Sequence, residues 1–435
     1  MPAATYSTRK KRNVSKRKVK RGAKASKKVK GSKRVRVMHR RGYKQRGGLE
    51  SFSMNRTNDS KALFDHYLQK KVINNGTYNK VITKKDYNSI IFESTDLLMV
   101  IDMQNDFVDT PFIGSTGPEV GKDDKGESIR IGAFAVNNGS SIIEPIIKLY
   151  NKVTAAGGKV VFSRDVHPCD HCSFSTHGEA CDSTNKLTGL FPPHCVSGTS
   201  GSGFVKTIYD DLKTKTISST IEDGNISVIF KGCDQATDSF GALPYREGQY
   251  ANTRQEPGCK HADMNNTGGF YAKADKTGKD GKEVLKDSFD AADKDNKGSE
   301  FKVPESIKRI FVVGLAGDYC VCDTAINLKA MYHDKEVTII HDLTRNAFIP
   351  FGDFLAKTLL VQVKTGGKDG THEEKHLITY AFDFDPAKGG SKSLTYDARQ
   401  KLDHVQLAQK FHFLQDPDEI FDRYLKAGVK VMVNT

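Results

Sequence analysis

Several short apolar runs in this chain stop at, or just before, a residue with chemistry in its side chain. LLMVI runs into Asp102, VVFS leads to Asp165 and His167, VIF ends at Lys231, and VVGLAGDY leads to Cys320. Unbroken apolar runs of this length are what strands look like when both faces of a parallel sheet are covered. Parallel strands end along one shared edge, and open α/β sheets bind their ligands there. The pattern therefore brings an acid, a lysine and a cysteine together, with His194 arriving from the rigid turn FPPH. Such a set is equipped for amide hydrolysis through a cysteine thiolate.

GKVVFS, ISVIF, RIFVVGL, VTII and VKVMV repeat the character of LLMVI, giving six strand candidates. Helical periodicity falls between them. Ile142, Ile143, Ile146, Ile147, Tyr150 and Val153 share one face, and Val321, Ala325, Leu328 and Met331 share another. DPDEIFDRYLKAGVKVMV reads as a capped helix, a Gly stop and a strand. Alternation of this kind indicates a parallel α/β sheet.

The 435 residues carry a formal charge of +14, but unevenly. Residues 1–46 hold 20 Lys and Arg and no acid, which leaves 47 basic against 53 acidic residues in the remainder. The basic character thus belongs to a tail, residues 1–48, expected to be disordered. Such a segment can bind nucleic acid or another polyanion through its charge, and KRKVKR reads as a nuclear import signal. A polar lead-in covers residues 49–93, and the hydrolase-like body covers 94–435. Three stretches interrupt the body, at about 108–139, 234–305 and 346–412, the last with enough apolar residues for a hairpin or small lobe. DKDNKG, from Asp293, suggests a calcium loop, but the position that needs a bidentate Glu is Pro304. No run is long enough to span a bilayer. Eight cysteines in this length do not suggest a disulfide scaffold. The expectation is a reducing, intracellular setting, in cytoplasm or nucleus. A homo-oligomer is compatible with the sequence.

Each candidate residue also has a plainer reading. Cys320 follows a strand and opens a helix, where orphan amides favour a thiolate, yet most cysteines so placed are inert core residues. Asp102 is either a base or a turn-former, and Lys231 either stabilises charge or reaches water. Asp165 and His167 leave an extended segment on the same side. With His194 they make a carboxylate and two imidazoles, a donor set suited to Zn2+, with Fe2+ and Mn2+ also compatible. Cys169 and Cys172 form a C-x-x-C without the second half of a zinc knuckle.

Together the segments resemble the nicotinamidase branch of the isochorismatase-like cysteine hydrolases. VIDMQNDF, SRDVHPCDHCSF, FPPHCVSGTSGSGF, VIFKG and VVGLAGDYCVCDTAINL occur in that family's order and cover about half the chain. The resemblance implies a three-layer α/β/α fold around a six-stranded, mostly parallel sheet. It implies a catalytic triad of Asp102, Lys231 and Cys320, and one divalent ion on Asp165, His167 and His194. His171 matches the second His of the family's D-x-H-P-x-x-H, which makes it a candidate for a further ligand. A cis peptide is implied between Leu315 and Ala316, with an oxyanion hole from the amides of Ala316 and Cys320. Phe107, Phe191 and Tyr319 would line the pocket for nicotinamide. The sequence departs from the family at Val166 and Phe191, where tryptophans are usual, and at Gly203, where an acid is usual.

Overall fold

The computed structural model describes residues 78–136, 138–179, 181–189, 191–246, 259–260, 267–347 and 417–434, with four short strands between 360 and 393. The basic tail and most of the lead-in lie outside the described residues, as does much of 346–412. The chain divides into Met1–Gly48 and Leu49–Thr435, and all described residues belong to the second unit.

One mixed sheet of nine strands organises the body. In chain order these are β1 (Ile82–Lys84), β2 (Asp96–Ile101), β6 (Lys159–Asp165), β7 (Ile226–Lys231), β8 (Phe270–Ala272), β9 (Lys297–Glu300), β10 (Arg309–Leu315), β11 (Glu336–Arg345) and β16 (Lys430–Val433). Across the sheet the order is β1-β16-β11-β10-β2-β6-β7-β8-β9. The pairings from β1 to β7 are parallel, and those of β8 with β7 and β9 are antiparallel. The expected six strands form its middle, and the count is corrected to nine. The additions are short edge strands whose residues do not form long apolar runs, and β9 is largely exposed.

Seven further strands among the described residues lie outside this sheet. β3 (Phe112–Ile113), β4 (Glu119–Lys122) and β5 (Ser128–Arg130) make an antiparallel trio within 108–139. β12 (Leu360–Lys364) pairs with β13 (Lys375–Thr379), and β14 (Phe382–Asp385) with β15 (Gly390–Ser393).

Four α-helices occur among the described residues: α1 (Ile143–Ala155), α2 (Lys206–Leu212), α3 (Cys320–Met331) and α4 (Pro417–Ala427). The path β2–α1–β6–α2–β7 moves one way across the sheet, and β10–α3–β11–α4–β16 moves the other. Right-handed crossovers therefore place the two helix pairs on opposite faces. Consistent with this, α1 contacts α2 and α3 contacts α4. The direction of travel reverses between β2 and β10, so a crevice opens at their carboxyl ends. α1 buries Ile143, Ile146, Leu149, Tyr150 and Val153, as its periodicity requires. α3 is buried from Cys320 through Leu328 on all sides, because a loop after β7 covers the face turned away from the sheet.

The stretch at 234–305 is more than surface decoration, since its residues 267–300 are tied to the body through a fully buried arginine. Arg164 donates to the carbonyls of Ser202 (3.0 Å), Val284 (2.8 Å) and Lys286 (3.1 Å). Its guanidinium lies 5.6 Å from the ring centre of Phe204 and 5.5 Å from that of Phe230. The acid missing at Gly203 has a neighbour in this stretch. A Cβ on Gly203 would lie 1.8 Å from the Asp287 carboxylate.

The cysteine reading is corrected as well. Cys169 is bonded to Cys181 and Cys172 to Cys259, while Cys195, Cys233, Cys320 and Cys322 are free thiols. The C-x-x-C is thus two half-bridges, which excludes a zinc knuckle there. Disulfides persist in oxidising surroundings, so the cysteines do not support a reducing compartment. No helix among the described residues is long and apolar enough to cross a membrane.

Arg164→Ala removes a charged donor from three carbonyls, those of Ser202 and Val284 in buried hydrogen bonds. It is expected to lower unfolding free energy by about 3 kcal/mol, read from the shift of a urea midpoint.

Candidate active site and metal centre

The motif IDMQND spends nearly every polar residue on the crevice between β2 and β10. Asp102 leaves β2 with φ 49°, a left-handed conformation that aspartate tolerates. Its Oδ1 accepts from the Ser163 hydroxyl (2.6 Å), and its Oδ2 lies 2.9 Å from Lys231 Nζ. Gln104 clamps the Asp165 backbone from both sides, donating to its carbonyl (2.7 Å) and accepting from its amide (2.7 Å). Asp106 accepts from the Cys195 amide (2.7 Å), which fixes the residue after His194. The motif therefore supplies one site carboxylate directly and holds the backbones of two other site segments.

Lys231, fully buried at the end of β7, is the hub. Its ammonium lies 2.9 Å from Asp102, 3.0 Å from Asp165 Oδ1 and 3.6 Å from Cys320 Sγ. Burial alone would favour the neutral amine, but the two carboxylates hold Lys231 well above its ordinary value. Burial raises Asp102 above the usual carboxylate range despite Lys231. Burial also pushes the Cys320 thiol well up, with Lys231 opposing and the two carboxylates adding to the rise. Burial and the two carboxylates thus work against the thiolate that the start of α3 favours.

The donors of Asp165, His167 and His194 lie within 4.8 Å of one another, all buried. His194 turns its Nδ1 to the Pro192 carbonyl (2.8 Å), leaving Nε2 for an ion. His167 turns its Nδ1 to the Gly232 carbonyl (2.8 Å), and its Nε2 lies 3.1 Å from Asp165 Oδ2. The residues present thus fit a divalent ion by donor type, proximity and orientation. Gly232 is required for this closeness. It has φ 73°, and a Cβ there would lie 2.3 Å from Asp165 Oδ1 and 2.8 Å from His167 Cε1.

Protonation follows from the same contacts. Burial pushes His194 down to about 3, leaving it neutral. Burial works against a charge on His167 too, but the neighbouring Asp165 carboxylate raises it overall. Burial works against the Asp165 charge, yet His167 and Lys231 hold Asp165 well below the usual carboxylate range.

His171 is not among the three clustered donors. Its Nδ1 meets the Ser173 hydroxyl (2.8 Å), and its Nε2 meets the Thr237 carbonyl (3.2 Å). Its ring lies 4.1 Å from that of His167, beside the donor cluster.

Phe107, Phe191, Tyr319, Ala316 and Cys320 line one pocket with the ion donors. The Leu315–Ala316 peptide is cis. Among the described residues, the amides of Ala316 and Cys320 make no backbone hydrogen bond outside the helices and strands. The sequence reading missed five lining residues, Phe134, Val136, Asp238, Phe240 and Ala347. Phe134 sits between the expected aromatics, 5.2 Å from Phe191 and 4.9 Å from the His194 ring. It comes from the Gly-rich stretch at 108–139, where no periodicity marks it. Asp238 and Phe240 come from the loop after β7. The aspartate gives no sequence signal beyond following Lys231 by seven residues.

With this geometry in view, three comparisons bear on the chain. A Saccharomyces cerevisiae nicotinamidase is 30% identical over 135 residues, covering 28% of this chain and 53% of that protein. An Escherichia coli nicotinamidase is 28% identical over 151 residues, covering 34% and 55%. By sequence, part of this chain is similar to these nicotinamidases. It spans about half the length of these two curated relatives. A solved L. infantum structure in complex with nicotinate aligns at 22% identity and TM-score 0.32, covering 61% of this chain and 87% of that one. No family model matches the chain.

In the absence of an ion, both His167 nitrogens face acceptors and its pKa is raised. An ion on Nε2 must displace that proton. Titrating Zn2+ into metal-free protein near pH 7, in buffers of different ionisation enthalpy, should report about one proton released. Release of none would contradict the arrangement.

Proposed function

We propose that the protein is a metal-dependent cysteine amidase that converts nicotinamide to nicotinate and ammonia. The observation that carries this reading is the single ammonium of Lys231. It bridges two buried carboxylates and reaches Cys320, beside a three-donor cation cluster. The similarity to nicotinamidases supports nicotinamide as the substrate. The aromatic lining from Phe107, Phe134 and Phe191 suits a flat ring.

Asp165, His167 and His194 would hold the ion, most suitably Zn2+. Bound there, it supplies a Lewis-acid anchor for the ring nitrogen. Asp102, its affinity for protons increased by burial, takes the proton of the Cys320 thiol, and Lys231 offsets the negative charge of the resulting thiolate. Sulfur attacks the carboxamide carbon, and the carbonyl oxygen becomes an oxyanion received by the amides of Ala316 and Cys320. Collapse breaks the C–N bond, and the nitrogen leaves as ammonia with the proton held by Asp102. A thioester on Cys320 remains. Asp102 then takes a proton from a water molecule as it attacks. The second collapse breaks the C–S bond, releases the acid and returns the proton to sulfur.

Cys320→Ala should lower ammonia release from nicotinamide by about 10⁴-fold or more while the far- and near-UV circular dichroism stays unchanged. Substantial turnover in that variant would end the reading. Because Asp102 must be ionised and its pKa is raised, the acid limb of kcat/KM should lie above the ordinary aspartate value of 3.8. Activity should fall as pH drops through that limb, and a limb at or below 3.8 would remove Asp102 as the base.

A further inference from the structure

One carboxylate in the pocket is used by neither the triad nor the cation cluster. Asp238 lines the cavity beside Asp165 and His167, and its Oδ2 is shielded from solvent with no hydrogen-bond partner. A buried carboxylate oxygen without a donor is costly unless something arrives to satisfy it. It is not among the three donors that lie within 4.8 Å of one another, so it is not placed as an additional direct ligand.

The loop that presents it is held from several directions. Tyr245 Oη accepts from the amides of Phe240 (3.1 Å) and Gly241 (2.9 Å), and donates to Asp323 Oδ2 on α3 (2.7 Å). The Ala242 amide donates to Thr324 Oγ1 (2.9 Å), and Asn327 Nδ2 donates to the Leu243 carbonyl (2.9 Å). On the other side, His171 Nε2 meets the carbonyl of Thr237, the residue before Asp238 (3.2 Å). The helix that begins with Cys320 therefore fixes the loop, and the imidazole expected as a ligand fixes the residue next to this aspartate.

Charge supplies the remaining argument. With Cys320 as a thiol, Asp102 and Asp165 outweigh Lys231 by one negative charge. A divalent ion on Asp165 and two neutral imidazoles would leave the buried cluster one charge positive. One further carboxylate makes it neutral, which a low-dielectric pocket favours.

We propose that Asp238 is an outer carboxylate of the ion site. It accepts a hydrogen bond from water on the ion and balances the ion's charge, and His171 is its positioning residue. This rests on the metal-site reading above. Outer groups of this kind typically change ion affinity by about 10–100-fold. Full-length protein freed of metal is titrated with Zn2+ against a chromophoric chelator, and its melting temperature is recorded with and without Zn2+. In Asp238→Asn, Zn2+ affinity should fall by about tenfold or more, and the Zn2+-induced rise in melting temperature should shrink. The metal-free variant should melt no lower than the metal-free parent, because the uncompensated charge has been removed. Asp238→Glu, which keeps the charge, should recover part of the affinity. Unchanged Zn2+ affinity in Asp238→Asn overturns the proposal. So does a lower metal-free melting temperature with the same Zn2+-induced rise, which marks a structural role. If the unaltered protein shows neither Zn2+ binding nor a rise in melting temperature, the metal-site reading fails together with this one.

Discussion

The architecture of the site depends on one buried ammonium placed between two buried carboxylates. Desolvating Lys231 costs several kcal/mol, and the return comes only if Asp102 and Asp165 stay within hydrogen-bond reach. Each carboxylate in turn needs the lysine or its own local donors. Asp102 has Ser163, and Asp165 has His167. Asp102 and Asp165 are thus parts of one electrostatic unit. A change at either end alters the other, so the two halves of the site cannot be tuned independently.

That unit is made possible by strand order. Asp165 and Lys231 end β6 and β7, and Asp102 directly follows β2, three neighbours in the sheet. Cys320 enters from the far side of the reversal, after β10. Each strand carries its residue to the same edge by the same parallel geometry. The thiol opens α3, whose later residues Asp323, Thr324 and Asn327 hold the loop carrying Asp238 and Phe240. One helix consequently sets both the sulfur and part of the opposing pocket wall.

The parts of the molecule legible in the sequence were those where burial leaves a pattern. Fully covered strands such as LLMVI and RIFVVGL read as unbroken apolar runs, and the site residues at their ends could be found by following them. The edge strands escaped notice because Phe270–Ala272 is only three residues long and Lys297–Glu300 is largely exposed. The structure brings Asp165, His167 and His194 together, whereas His171 shares their motif but turns to Ser173 and Thr237. Spacing places an imidazole near an ion but does not say which way its nitrogens face. Phe134, Asp238 and the two disulfides come from irregular segments, where neither period nor spacing carries information about contacts in space. The helix start at Cys320 is visible in sequence, whereas the depth of its burial is not.

Arg164 gives the long segment after β7 a different standing from an ordinary surface loop. Its guanidinium sits between two phenyl rings in the interior, and two of the three carbonyls that receive it, those of Val284 and Lys286, belong to that segment. The body cannot be trimmed back to a compact ancestral-looking domain by excising the segment, since doing so would strand a cation in a hydrophobic slot. Whatever route brought these residues into the chain, the arginine and its acceptors now have to be gained or lost together.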